Sequence, residues 1–352
     1  MLKTAAYAAP DGQSPLAPWT IERREPRAGE VLIDILYCGV CHSDVHQVRA
    51  EWGNSGIFPM VPGHEIVGRV ARVGEGVQRF KPGDAVGVGC FVDSCRHCGQ
   101  CRAGEEQYCS EGMTGTYNSR ERDTGAPTYG GYSTRITVSQ DYVLRVPESI
   151  PLDRAAPLLC AGITTWSPLR RYGVKAGQRV AVVGLGGLGH MAVKLAAAMG
   201  AEVTVLSTSE SKREAAAALG AQQFAATRDP ATFKTLARRF DLIIDTVSAP
   251  HDYNAYLGLL KFDGTMVLLG IPDQPVPVAA GPLIMQRRKL AGSLIGGIRE
   301  TQEMLDFCAE HGIASDIELI DIADINQAYD RMIRGDVRYR FVIDIASPGG
   351  AD

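Results

Sequence analysis

The run Val182-Val183-Gly184-Leu185-Gly186-Gly187-Leu188-Gly189 constrains the fold of this chain more than any other stretch. It holds the spacing G-x-G-x-x-G at Gly184, Gly186 and Gly189. Alone, that spacing is weak and also fits a tight turn in an unrelated α/β sheet. Here it follows a β-branched apolar run at 179–183 and opens an alanine-rich helical stretch at 187–199, the context in which it binds a dinucleotide. The glycines let the chain turn sharply and let its backbone approach a pyrophosphate; the helix N-terminus adds free N–H groups and a favourable dipole. Further β-type runs at 202–206, 240–245 and 265–270, with a helical stretch at 210–219, continue the alternation. The pattern predicts βαβ units and a doubly wound parallel sheet, a Rossmann domain over 153–295.

Upstream the pattern differs. Short β-type runs at 31–37, 65–73, 83–88 and 133–138 are separated by turn signals such as Lys81-Pro82-Gly83-Asp84. They predict a mainly β domain, an open barrel. After about residue 294 the alternation stops, and a helix at 300–311 and a strand at 340–345 rejoin the first domain. A chain of 352 residues suits this two-domain α/β arrangement. With a formal charge of −4 and no long run of like charge, nothing draws it to nucleic acid or an anionic membrane. The N-terminus lacks the apolar core of a signal peptide, and the apolar stretch at 180–200 is broken by glycines, His190 and Lys194. A cytoplasmic protein is expected.

Four of the nine cysteines, Cys95, Cys98, Cys101 and Cys109, follow C-x2-C-x2-C-x7-C. Such spacing turns neighbouring thiolates onto one tetrahedral ion, and four thiolates leave no open position, so the site is structural. An iron–sulfur cluster is the rival. A catalytic zinc needs three protein ligands and a free position. Cys41, His64 and Cys160 are candidates; each alone reads equally as ordinary packing.

Taken together, Cys38-Gly-Val-Cys-His-Ser-Asp44, Gly63-His-Glu65, the four-cysteine lobe and the glycine turn resemble, in this order and over essentially the whole chain, the zinc-containing medium-chain alcohol dehydrogenases. Glu51-Trp-Gly53, residues 61–68, 300–307 and 336–344 look closest to the cinnamyl alcohol dehydrogenase group and its bacterial broad-range NADPH-dependent aldehyde reductase relatives. The resemblance implies a GroES-like catalytic domain over 1–152 and 296–352, with the structural-zinc lobe at 90–112. It makes Cys41, His64 and Cys160 the catalytic zinc ligands, with Glu65 approaching the metal when the fourth position is empty. Ser43 takes the relay hydroxyl position and His46 passes the proton to solvent. His42, Ser43, Thr164, Thr246, Gly270, Ser293, Leu294 and Ile295 match cofactor-lining positions, and Arg340 is expected at the phosphates. A homodimer is implied.

The choice of dinucleotide rests on the end of the second strand of the Rossmann pattern. NAD sites usually carry an acid there. Here Ser207-Thr208-Ser209 follows, with Lys212 and Arg213 beyond, a hydroxyl and basic run that suits the 2′-phosphate of NADP(H). Glu210 is the counter-signal; it fits better in the first turn of the next helix. The expected reaction is hydride transfer between NADP(H) and an alcohol or aldehyde on zinc, with Trp52, Phe91, Tyr117 and Leu294 walling an apolar pocket. Rival readings are an NAD-linked polyol, threonine or formaldehyde dehydrogenase, a non-catalytic NADP-binding protein and a zinc–thiol redox sensor.

Overall fold

Six strands, Arg179–Val183, Glu202–Ser207, Gln223–Ala226, Phe240–Asp245, Leu260–Leu268 and Lys289–Gly292, form one parallel sheet in the computed structural model, which describes residues 1–53 and 56–346. In space they run third, second, first, fourth, fifth, sixth. The order reverses between Arg179–Val183 and Phe240–Asp245, and open α/β sheets bind ligands beyond the strand ends at such a switch point. Val180, Val182, Ile243 and Ile244 are fully buried, as befits strands covered on both faces. One apolar cluster joins Phe240, Leu257, Leu260 and Met266. Two edge strands, Gln223–Ala226 and Lys289–Gly292, carry too few buried positions to read as strands from sequence. The expected helix at 210–219 is a short 3-10 turn, Glu210–Lys212, followed by Arg213–Ala218. The fifth strand starts earlier than expected because Asp263, at φ +62°, and Gly264 interrupt its apolar pattern.

The other unit is built on Glu30–Gly39, which pairs antiparallel with Ile66–Val73, Arg135–Ser139 and Arg340–Asp344. Ala85–Val88 and Leu144–Arg145 extend the sheet on one side and Ile317–Asp321 on the other. Leu2–Ala8 and Ala17–Arg23 make a separate hairpin.

The chain thus divides into Met1–Cys160 with Gly296–Asp352, and Ala161–Ile295. The first boundary falls after Cys160 rather than after residue 152. The reason is packing: the helix Leu152–Ala155 and the turn Ala156–Leu159 lie against Glu30–Gly39 and Ile66–Val73, burying Ala155, Leu158 and Leu159. The last residues of the expected tail, 347–352, lie outside the described residues.

Candidate metal centres and dinucleotide turn

The strand Glu30–Gly39 delivers the chain into the helix His42–Val48, and Cys41 is that helix's N-cap. Asp44 closes a capping box, accepting the Cys41 backbone N–H at 2.9 Å. His64 leads into the strand Ile66–Val73, and Cys160 ends the turn Ala156–Leu159. Three segments far apart in sequence therefore meet. Cys41, His64, Glu65 and Cys160 are all buried, with one potential ligand atom each lying within 4.8 Å of the others.

The Cys41 and Cys160 sulfurs are 3.9 Å apart. Two thiolates on one tetrahedral zinc, each at about 2.3 Å, are separated by about 3.8 Å. His64 Nδ1 lies 3.0 Å from Asp44 Oδ1, which leaves Nε2 for a metal. Asp44 is fully buried and also accepts from the Gly63 N–H at 3.2 Å. Hydrogen bonding with Cys160 holds Cys41 well below the usual thiol range, while the same contact pushes Cys160 up. Burial raises Glu65 to about 7, against the opposing pull of Arg340. Glu65 Oε1 is held by the Arg340 guanidinium, whereas Oε2 is buried without a partner. Two thiols and an imidazole fit a zinc ion with one position left open, and the orphaned carboxylate oxygen of Glu65 lies beside that position.

Ser43 stands beside the cluster, its Oγ 3.6 Å from the Cys41 sulfur. His46 follows one turn on, and its ring lies 5.1 Å from both His42 and Trp52. Its Nδ1 is 2.6 Å from Glu51 Oε2, a partner for the relay position that sequence reading missed. Tyr117 is buried and stacks on His64 at 5.8 Å. Phe91 is buried and follows Cys90, whose sulfur donates to the Leu159 carbonyl beside Cys160; its ring meets Tyr142 edge-on at 5.8 Å, and the Tyr142 hydroxyl reaches Ser94 beside Cys95.

Cys95, Cys98, Cys101 and Cys109 converge as a second group. The sulfurs of Cys95 and Cys98 lie 3.8 and 3.4 Å from that of Cys101. Backbone N–H groups of Cys101 and Ser110 lower Cys98 to about 5. The donor set suits a closed structural zinc.

In the Ala161–Ile295 unit, the glycine turn leaves Arg179–Val183 at the switch point. Gly184 has φ +87°, and a Cβ there would meet the Val247 and Thr246 side chains at 2.8 and 3.0 Å. A Cβ on Gly189 would sit 2.2 Å from the Gly184 carbonyl oxygen, whereas around Gly186 the space is open. That pattern suits a phosphate approaching the middle of the turn. Thr246 donates to the Val183 carbonyl at 2.7 Å, and Gly270 packs against Val247 so closely that a Cβ has no room. Ser207 ends the second strand and accepts the Ser209 N–H at 3.3 Å. Lys212 reaches back to the Leu185 carbonyl at 2.9 Å, placing an ammonium over the turn. Arg213 pairs with Glu210, which takes up the acid that argued against NADP. Thr164 lies on the helix Ala161–Arg171, Leu294 is exposed, and Ser293 donates its N–H to Leu268 at 3.3 Å. One guanidinium nitrogen of Arg340 donates to Glu65 in the metal site, while its Nε is buried without a partner.

Residues 27–148 match the family described as alcohol dehydrogenase GroES-like domain, and residues 187–310 that of zinc-binding dehydrogenase. The chain is 60% identical over 348 residues to NADP-dependent alcohol dehydrogenase C 1 of Mycolicibacterium smegmatis, covering 99% of each. It is 56% identical to aldehyde reductase YahK of Escherichia coli, covering 97% of this chain and 98% of the relative. A cinnamyl alcohol dehydrogenase structure from Sorghum bicolor superposes with a TM-score of 0.96 at 47% identity, with full coverage of both chains.

Proposed function

Because the chain belongs to the zinc-containing medium-chain alcohol dehydrogenases, in the cinnamyl alcohol dehydrogenase-like group, we propose that its Cys41–His64–Cys160 cluster is the catalytic metal site of a broad-range aldehyde reductase. The enzyme is an NADP-dependent oxidoreductase that interconverts alcohols and aldehydes. The observation that carries the site is the meeting of two thiols and one imidazole beside the unpartnered Glu65 oxygen.

When bound, zinc acts as a Lewis acid on the substrate oxygen, and NADP(H) supplies or accepts the hydride. The Cys41 and Cys160 sulfurs and His64 Nε2 hold the ion, and Asp44 fixes the histidine's orientation and tautomer. Ser43 Oγ exchanges a proton with the reacting oxygen, and His46 with Glu51 passes it to solvent. Cys95, Cys98, Cys101 and Cys109 hold the structural zinc. The turn at 184–189 holds the pyrophosphate, Ser207 and Lys212 the 2′-phosphate; Thr164, Thr246, Gly270 and the segment 293–295 line the rest. Trp52, Phe91 and Tyr117 offer apolar surface suited to aromatic aldehydes. The edge strand Lys289–Gly292, with Phe262, Ile284 and Met285 exposed, supports a homodimer. No helix among the described residues is long and apolar enough to cross a membrane, in keeping with work in the cytoplasm.

The test is a panel of aldehydes assayed with NADPH at 340 nm, alongside zinc content. Loss of turnover in folded Cys41→Ala with one zinc fewer supports the site. Full turnover in that variant refutes it.

A further inference from the structure

The helix Ile298–Glu310 begins three residues after the boundary at Ile295, and its N-cap, Gly297, has no side chain to cap it. The cap comes from the cysteine lobe instead. Glu106 Oε2 accepts the Ile298 N–H at 3.1 Å, and Arg299 donates to the Ala103 carbonyl at 2.8 Å. The fit is close: a Cβ on Gly297 would lie 1.9 Å from the Gly104 carbonyl oxygen and 2.6 Å from Glu106 Oε2. A carboxylate at a helix N-terminus satisfies an orphan N–H and meets the positive end of the dipole.

Glu106 is well placed to be rigid. It lies between Cys101 and Cys109, in the turn Glu106–Tyr108, and its carbonyl accepts the Cys109 N–H at 3.0 Å. The segment it anchors is fixed at its other end too, by the Ser293 N–H on the Leu268 carbonyl. Between these anchors Ile295 adopts φ +35°, a region that β-branched residues avoid. Such a conformation persists only where its surroundings over-determine it.

We propose that Glu106 is a positioning residue for cofactor binding: by capping Ile298–Glu310 from the structural-zinc lobe, it holds the Ser293–Ile295 segment in the conformation that accepts NADP(H). This assigns the four-cysteine lobe a task at a distance, as the base of a strut. It rests on the reading that residues 293–295 line the cofactor.

The zinc-loaded enzyme tests it. Glu106→Ala should weaken NADPH binding, read by cofactor fluorescence, roughly threefold to tenfold, the range expected for a lost helix cap. Both zincs should stay, with the loss in KM for NADPH rather than in kcat. Glu106→Gln keeps an acceptor oxygen and should recover most of the affinity, which a merely stabilising residue would not restore selectively. Should Glu106→Ala not fold, Arg299→Ala loosens the same strut and should weaken NADPH in the same sense. An unchanged NADPH affinity in either folded variant overturns the proposal. Hydrogen exchange of the wild-type peptide spanning 289–297 separates the two ideas. Protection by NADPH there, with affinity unchanged in the variants, sinks the strut alone. No protection by NADPH overturns the reading of residues 293–295, and the proposal with it.

Discussion

Asp44 and His64 are locked together: the imidazole Nδ1 lies 3.0 Å from a carboxylate that is wholly buried and also takes the Cys41 and Gly63 N–H groups. One side chain thus ties two of the three ligand segments to each other. Asp44→Asn should keep the shape but lose the charge that orients His64 and raises its basicity. The expected result is weaker binding at the catalytic site by roughly 10- to 100-fold, measured by chelator competition, with the four-cysteine zinc retained. Undiminished retention of both zincs would remove Asp44 from the metal site's support.

The contact between His46 Nδ1 and Glu51 Oε2, at 2.6 Å, places a carboxylate behind the relay histidine. His46→Gln should lower kcat by about tenfold; this is less than the 10² or more of a directly acting acid or base, because buffer can replace an outer relay group. Small imidazole buffers should restore part of the loss. Glu51→Gln should give a smaller loss in the same direction. Stopped-flow and steady-state rates for one aldehyde across buffers would check both, and a kcat indifferent to His46→Gln would exclude the relay.

How much of this was legible in the sequence depended on how local each feature is. The glycine turn and the four-cysteine lobe are contiguous, so local spacing, read with its strand-to-helix context for the turn, carried them. Cys41, His64 and Cys160 are brought together only by the tertiary fold, and only the family resemblance linked them in advance. Asp44, Glu51 and Glu106 went unassigned because each role rests on contacts made across the fold, and in the sequence an acidic residue beside a helix looks the same whether it caps, relays or faces water. The edge strands Gln223–Ala226 and Lys289–Gly292 lacked the buried runs that mark interior strands. Arg340, placed at the phosphates by resemblance, is engaged by Glu65 across 275 residues of sequence, a pairing that no local pattern announces.

Ser207 lies at the strand end where a dinucleotide's adenosine ribose is read, and Lys212 folds back over the turn. Ser207→Asp puts a carboxylate against the 2′-phosphate and removes a donor. A hydrogen bond to a charged group is worth about 1.5–3 kcal/mol. The ratio of kcat/KM for NADPH over NADH should therefore fall roughly 10- to 100-fold. Rates at 340 nm with each cofactor decide it; an unchanged ratio would place the discrimination elsewhere than this strand end.

His251 supplies a pH test of the cofactor unit. Its Nε2 lies 2.9 Å from Asp245 Oδ2, at the buried end of Phe240–Asp245, and its ring packs against Tyr253 and Tyr256. Burial works to lower its pKa, but the hydrogen bonds to Asp245 and the Ala249 carbonyl outweigh it, and the net direction is upward from 6.5. A group raised in the folded state contributes stability that is fully present below its unfolded value and is lost as pH rises through the folded value. The pair should thus help the unit most below about pH 6.5 and progressively less above it. His251→Gln should lower Tm by a few degrees in mildly acidic buffer and by less as pH increases, since a hydrogen bond between charged partners contributes about 1.5–3 kcal/mol. Thermal unfolding of both proteins without cofactor, followed from pH 5.5 to 8.5, measures the difference. A gap that widened with pH would reverse the sign and require His251 to be neutral in the folded protein.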